Sequence, residues 1–276
     1  MIRSSSMLNA LTIDVEEHFH VCGLPHPLST ERLQQSTSLV VPQTQRLLAL
    51  LARARVKATF FVLGTVAERH PTLVRRIAEE GHEIGSHGYR HELIYRQTRQ
   101  AFEQDVAQSL RLLAACVPRP ILGYRAPSFS VTNASAWAVD TLVRLGFRYD
   151  CSVFPILNPR YGIPGAPRVP YQWKGLIEFP LSTFRLGPMN IPVAGGAYFR
   201  ILPWTLLRQA YRALNRQGIP VQVYLHPWEL DPTIPRLPIP WHRALTHYWN
   251  VEHAEQRLVA LLKEFAFAPV QQVLGI

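Results

Sequence analysis

The chain has 276 residues, 47% of them hydrophobic, which is enough to bury a large core in one α/β barrel or two smaller domains and excludes a small stapled mini-domain. Its 29 Lys and Arg against 19 Asp and Glu give a formal charge of +10, but the bases are scattered, so a nucleic-acid interface is not expected and an anionic ligand or anionic membrane surface fits at least as well. The three cysteines, Cys22, Cys116 and Cys151, lack C-x-x-C spacing, which argues against a disulfide framework or thiolate zinc site and suits a reducing compartment.

No run of roughly 18 apolar residues marks a membrane span. Met1 to Ser6 lead into the first strand without the apolar stretch and small-residue cleavage site of a secretory signal. Met7 is a candidate natural start, and a cytoplasmic location is expected. Leu8 to Val15 reads as a short apolar strand ending in acids. Gln43 to Arg55 carries apolar residues at helical spacing, and Lys57 to Leu63 follows as a β-branched and aromatic strand. Pro71 to Glu80 opens with Pro and closes at Gly81, the asymmetry of a helix. Glu83 to Ser86 is the next strand, Gln97 to Cys116 a long amphipathic helix, and Ile121 to Tyr124 a further strand. Ala134 to Leu145 is a helix stopped by Gly146, and Phe147 to Ser152 a strand. From Phe154 to Gly196 no period persists; this is an ordered excursion with short strands, one at Ile177 to Phe179. Pro203 to Gln217 is a helix and Val221 to Leu225 a strand. Asp231 to Trp249 reads as a Pro- and aromatic-rich loop, Val251 to Phe265 as the last helix, and Pro269 to Val273 as a final strand.

Strands alternating with helices imply parallel βαβ units, in a doubly wound sheet or a closed barrel. Asp14, His87, Arg125 and His226 each fall at the C-terminal end of a different strand. In a (β/α) barrel those ends share one mouth, which favours the barrel.

His87 and His91 stand four apart, so a helical turn or tight loop aims both imidazoles at one point, as two ligands of a divalent metal. Two His and one carboxylate form a hydrolytic zinc set that leaves a position for water. Amide hydrolysis further needs a base for the water's proton and an acid for the departing nitrogen, for which Asp14 and His226 are candidates. Asp14 and Glu16, two apart, share a strand face, so one is free to bind metal while the other serves as base. Arg125 is the guanidinium that would orient Asp14 and favour its charged form.

These residues, in this order, resemble the polysaccharide deacetylases of the NodB-homology group, carbohydrate esterase family 4. Thr12-Ile13-Asp14 and the acids after it resemble the first motif, Ser86-His87-Gly88-Tyr89-Arg90-His91 the second, and Arg125-Ala126-Pro127-Ser128-Phe129 the third. Tyr149-Asp150 stands where the fourth is expected, and Tyr224-Leu225-His226 resembles the last. Asp14-Val15-Glu16-Glu17, Tyr149-Asp150-Cys151-Ser152-Val153-Phe154-Pro155, Tyr224-Leu225-His226-Pro227-Trp228-Glu229 and His247-Tyr248-Trp249-Asn250 resemble, more narrowly, deacetylases encoded with bacterial exopolysaccharide and exosortase (PEP-CTERM) loci.

The resemblance implies a deformed (β/α) barrel of about seven strands, built as a single domain with a family-specific extension from about residue 227. It implies metal-dependent hydrolysis of N-acetyl groups on amino sugars of an exopolysaccharide or its lipid-linked precursor. It also implies one divalent ion, with zinc expected, and peripheral association with membrane-bound exopolysaccharide machinery. The family's commoner first motif has two adjacent Asp. Here Asp14 would be the base and Glu16 the ligand, with Glu17 the alternative ligand. Asp150 is a candidate to orient and charge His226, or else caps the following turn. Gly195 and Gly196 would admit a close backbone approach to a sugar. Tyr198, Trp173 and Trp228 are candidates to stack on sugar faces, with core packing the alternative for each. His18 and His20 lie near the acids and are read as surface residues or residues supporting the site; His242 and His247 structure the aromatic loop or line the mouth. Two other readings stand beside the deacetylase: another amide hydrolase on the same barrel, of cyclic-ureide or deformylase type, and a catalytically silent sugar-binding homologue.

Overall fold

The computed structural model describes residues 7–20, 38–158 and 160–276; Cys22 and the first six residues lie outside them. Strand β1 (Leu8–Val15) is buried along nearly its whole length, on both faces, as a strand covered by helices on one side and barrel interior on the other must be. Helix α1 (Val40–Ala54) follows and ends at Arg55 in the left-handed conformation. Strand β2 (Thr59–Val62) leads into α2 (Gly64–Arg69), which the sequence reading missed, and α3 (Pro71–Glu79), with Pro in its first turn. Next come β3 (Glu83–Ser86), α4 (Arg99–Ala114) capped by the Thr98 hydroxyl, β4 (Gly123–Tyr124), α5 (Ala138–Arg144) and β5 (Tyr149–Asp150).

The irregular stretch contains β6 (Tyr171–Trp173), β7 (Leu176–Glu178), and a separate hairpin of β8 (Thr183–Leu186) and β9 (Met189–Pro192). Helices α6 (Ala197–Ile201) and α7 (Trp204–Arg216) then return the chain to β10 (Gln222–Leu225). The segment read as a loop up to Trp249 holds a helix, α8 (Trp241–Tyr248). Pro240 ends the Pro-rich run as its N-cap, and eight residues were too short to register as a period. After α9 (Val251–Glu264), the expected final strand at Pro269 to Val273 is instead helix α10 (Val270–Leu274). The strand, β11, is Ala266–Ala268 just before it. Pro269 and left-handed Gly275 bracket α10 as start and stop, a signal that outweighed its two valines.

The sheet runs β10-β1-β2-β3-β4-β5-β7-β6, with β11 added to the start of β1. Every ladder from β10 to β7 is parallel, and among the described residues only β6 joins this sheet antiparallel. That is seven parallel strands curling into an incomplete barrel. Past β7 the chain turns back toward β10: Gln222 Nε2 donates to the Phe179 carbonyl (2.6 Å), and Gly195 bridges Tyr224 in parallel. Gly195 and Gly196 have positive φ, and a Cβ on either would collide with Tyr224, so closure on this side depends on their lacking side chains. Because the strands are parallel, their C-terminal ends share one rim.

Candidate active site

Asp14 sits one residue before the end of β1 and is 2% exposed; Glu16 follows it on the same face. Arg125, the residue after β4, is wholly buried inside the barrel. Its Nη1 donates to Asp14 Oδ1 (2.6 Å) and to Thr12 Oγ1 (2.8 Å), its Nη2 to Gln222 Oε1, and its Nε to the Cys151 carbonyl (3.3 Å). One guanidinium thus ties β1, β4, β10 and the end of β5 together and fixes the orientation of Asp14.

The 87–91 loop is held from two sides. Gly88 and His91 are left-handed, and the Asp105 carboxylate on α4 accepts from the backbone N–H groups of Tyr89 (2.7 Å) and Arg90 (3.2 Å). The first N–H groups of α2, without partners in the helix, donate to the Gly88 and Tyr89 carbonyls. His87 Nδ1 donates to the Arg125 carbonyl at 2.8 Å, which leaves the lone pair on Nε2. That nitrogen lies 3.7 Å from Glu16 Oε2, and His91 Nε2 lies 2.8 Å from the same oxygen.

These three donor atoms lie within 4.8 Å of one another, and among the described residues buried Glu16 Oε2 has no hydrogen-bond donor. Two imidazole nitrogens facing one carboxylate oxygen, with a backbone carbonyl fixing one ring's tautomer, fit a divalent cation of the zinc type. Burial disfavours charge on Glu16, yet His91 and His226 hold its carboxyl well below the usual range. Glu17 is engaged elsewhere: it accepts from the Ser38 hydroxyl and the Leu39 N–H. His20 stacks on His91 with ring centroids 5.2 Å apart and lines the same cavity. Burial and His91 push its pKa down to about 3.

His226 follows β10 directly. Its Nε2 faces Glu16 (3.4 Å) and Asp14 (3.9 Å), while Nδ1 donates to Glu229 Oε1 at 2.6 Å. Glu229 also accepts from the His226 N–H (3.1 Å), and its other oxygen pairs with fully buried Arg200 at 2.6 Å. Burial would lower the His226 pKa, but Glu16, Glu229 and Asp14 together push it up to about 9. Burial would raise Glu229, but Arg200 and His226 hold it at about 2.

The cavity among these groups has a volume of about 190 Å³, and its wall includes Phe129, Tyr161, Gly196, Trp228 and His247. Three wall residues, His91, Ser128 and Phe129, are non-glycine residues with positive φ, the kind of backbone strain that collects at functional sites.

Three candidate roles, those of Asp150, Tyr198 and Trp173, need correction toward the alternatives of turn cap and core packing. Asp150 does not orient His226: its Oδ1 accepts from the Cys151 N–H and the Ser152 hydroxyl, it pairs in register with Glu178, and the carboxylate on His226 is Glu229. Tyr198 packs edge-on against Phe154 (6.2 Å) beside Tyr161 and does not line the cavity; Trp173 packs beside Tyr171. Trp228 does line it, but as a buried slab between His226 (5.1 Å) and His247 (4.3 Å).

Glu229, Arg200 and Asp105 were given no role by the sequence reading, whereas His20, read as a surface or supporting residue, lines the cavity itself. The signal for Glu229 was present: an N-cap followed by Pro and then Glu at the third position is a capping-box pattern, and here the N-cap is His226 itself. Arg200 and Asp105 act across long sequence separations and left no local signal.

Residues 38–149 match the family model described as polysaccharide deacetylase, and residues 151–275 match a domain of unknown function, DUF3473. The chain is similar to a chitooligosaccharide deacetylase of Rhizobium leguminosarum bv. trifolii, 33% identical over 101 residues, covering 37% of this chain and 44% of that protein. It is similar also to a peptidoglycan-N-acetylglucosamine deacetylase of Bacillus cereus, 32% identical over 91 residues, covering 33% and 42%. Each match therefore spans less than half of the relative's length. In three dimensions the chain resembles a candidate polysaccharide deacetylase from Mycobacterium smegmatis, with TM-score 0.63, 20% identity, and coverage of 99% and 91%. It also resembles a CE4 family pseudoenzyme from Bacillus anthracis, with TM-score 0.53, 14% identity, and coverage of 98% and 66%. At these identities the structural likenesses show the fold.

Proposed function

We propose that this chain, which carries a polysaccharide deacetylase domain of the NodB-homology type, hydrolyses N-acetyl groups of amino sugars in a bacterial exopolysaccharide or its lipid-linked precursor. The observation that carries the reading is the meeting, around one cavity, of the Glu16–His87–His91 cluster with Asp14 and His226. We read the segments before and after residue 150 as one catalytic domain, since their strands share one sheet. We read residues from about 227 as an extension that itself lines the cavity with Trp228, Glu229, Thr246 and His247 and is tied down by Arg200.

A divalent cation held by Glu16, His87 and His91, zinc in this reading, would supply Lewis-acid polarisation of the acetyl carbonyl and acidify water. The chain's own residues do the rest. Asp14, oriented by Arg125, takes the proton of the attacking water through Oδ2, the oxygen that Arg125 leaves free. Water oxygen bonds to the acetyl carbon, and the C–N bond breaks as His226 Nε2 gives its proton to the departing nitrogen. Acetate and a free amine result. The step needs a protonated imidazole, because an amine leaves poorly as an anion. Glu229 keeps that proton on His226 and fixes the ring, while the Trp228 and His247 rings hold it from one side.

Acetate release from chitooligosaccharides and from N-acetylhexosamine polymers, with and without chelator, tests the proposal. Chelator-sensitive acetate release supports it. Turnover of cyclic ureides or formyl amides in place of acetyl sugars would indicate the other amide hydrolase. Sugar binding without any release would indicate the silent homologue, a reading that the complete set of Asp14, His226 and three ligand-type side chains disfavours.

A further inference from the structure

The outer face of α8 is unusual for a protein surface. Trp241 is 77% exposed, Leu245, one turn on, is 46% exposed, and Trp249, at the helix end, is 48% exposed. Ile201, 42% exposed, ends α6, which packs against α8. The inner side of the same helix belongs to the site: Thr246 and His247 line the cavity, and the Thr246 and Trp249 carbonyls accept from Arg200. The rim of the cavity and the apolar face are therefore two sides of one short, rigidly tied element. An exposed Trp side chain forgoes much of the stabilisation that burial gives, so two of them on the outer face of one short helix call for an occupant.

Charge selects among occupants. Residues 232–251 contain no Asp or Glu, but they contain Arg236 and Arg243, in a chain of net charge +10. Arg236 lies with its guanidinium 4.2 Å from the Tyr248 ring centroid, on an exposed loop just ahead of the helix. Tryptophan indoles with flanking arginines are the side chains that settle at a lipid–water boundary, the ring at the headgroup level and the guanidinium among phosphates. Bases near an anionic leaflet add electrostatic attraction that falls off within a Debye length. A second copy of this chain would bring like charge to the same patch, which opposes self-association.

We propose that the Trp241–Leu245–Trp249 face docks on an anionic lipid surface, which brings the cavity on the other side of the helix to within about one helix diameter, roughly 10 Å, of that surface. The docking stands on the surface alone. Its consequence, access to a substrate carried on a lipid anchor, rests on the deacetylase reading.

The test uses the full chain loaded with zinc and vesicles of phosphatidylcholine, with or without phosphatidylglycerol. Wild-type protein is expected to co-sediment with the anionic vesicles at least about tenfold more than with the neutral ones, with a blue shift of tryptophan emission that high salt reverses. Trp241→Ser/Leu245→Ser is expected to lose about tenfold or more of that binding, and Trp241→Ala a smaller part. Both should keep the wild-type melting temperature and acetate release from soluble chitooligosaccharide. Three results would each overturn the proposal: wild-type protein remaining in the supernatant, equal binding to both vesicles, or undiminished binding by both variants. A concentration-dependent dimer that Trp241→Ala dissolves, without vesicle binding, would replace the lipid with a second copy. Vesicle binding without acetate release from any sugar would leave the docking in place and remove the deacetylase reading.

Discussion

Glu229 bridges His226 and Arg200: one carboxylate oxygen lies 2.6 Å from His226 Nδ1 and the other 2.6 Å from Arg200 Nε. Arg200 in turn donates to the Thr246 and Trp249 carbonyls (3.0 and 2.6 Å), while Asn250 and Arg257 donate back to carbonyls around Arg200. The imidazole proposed as acid is thus oriented by a chain of contacts that begins in the last fifty residues. Losing one member of the buried Glu229–Arg200 pair costs roughly 3–5 kcal/mol, because the other charge stays buried without its partner.

The first prediction follows from that bridge. His226, with its pKa raised to about 9, is charged and able to donate below that value and loses its proton as pH rises through it. The rate should therefore fall on the alkaline side. A cation on Glu16 would offset that carboxylate's pull on His226 and leave Glu229 as its main counter-charge. Glu229→Gln keeps an acceptor for Nδ1 but removes the charge, so the alkaline limb should move to lower pH while metal content holds. The pH profile of kcat for the two proteins is the check. An unmoved limb would remove Glu229 from the mechanism.

A second prediction separates the acids. Glu16→Ala should lower bound zinc by at least about tenfold, as should His87→Ala or His91→Ala. Glu17→Ala should leave zinc bound, because its carboxylate holds Ser38 and Leu39 instead. Elemental analysis after dialysis decides it. Loss of zinc in Glu17→Ala alone would exchange their roles.

Asp14→Asn carries the third. The amide still accepts from Arg125 but cannot take a proton from water, so zinc should stay while turnover falls roughly 10²- to 10⁴-fold. Single-turnover acetate release together with metal content tests this. Near-normal turnover would assign the base elsewhere.

The sequence located the strand ends and hence the rim of the barrel: Asp14, Glu16, His87, His91, Arg125 and His226 all meet where β1, β3, β4 and β10 finish. They were legible because each follows a short apolar run, and parallel strands put such positions on one side. Glu229 was less legible because its partner is defined by a turn, and Arg200 because its partners come from the far end of the chain. Tyr198 misled for a related reason. Next to Gly196 in sequence it suggested the cavity, but the left-handed Gly196 starts α6 and aims Tyr198 at Phe154 instead. No pattern in a sequence distinguishes an aromatic that faces a cavity from one that closes a core.

Asp150 supports the last prediction, one that separates its observed place from the role its motif suggested. It is paired in register with Glu178, and both are fully buried; among the described residues Asp150 Oδ2 and Glu178 Oε2 have no other donor. Two carboxyls in that position are best satisfied by sharing a proton, and burial raises both above the usual carboxylate range, Asp150 to about 6. A raised carboxyl favours the folded state most below its ordinary value, 3.8 for Asp, and that advantage is lost as pH rises through about 6. Glu178→Gln replaces the shared proton with an amide donor that no pH change removes. Its stability should therefore fall less between pH 4 and about 7 than that of the wild type, while the alkaline limb of the rate, set by His226 and Glu229, should not move. Urea denaturation at a series of pH values, alongside the pH profile of kcat, measures both. If Asp150→Asn or Glu178→Gln instead shifted the alkaline limb as Glu229→Gln is expected to, the buried pair would be coupled to His226 after all.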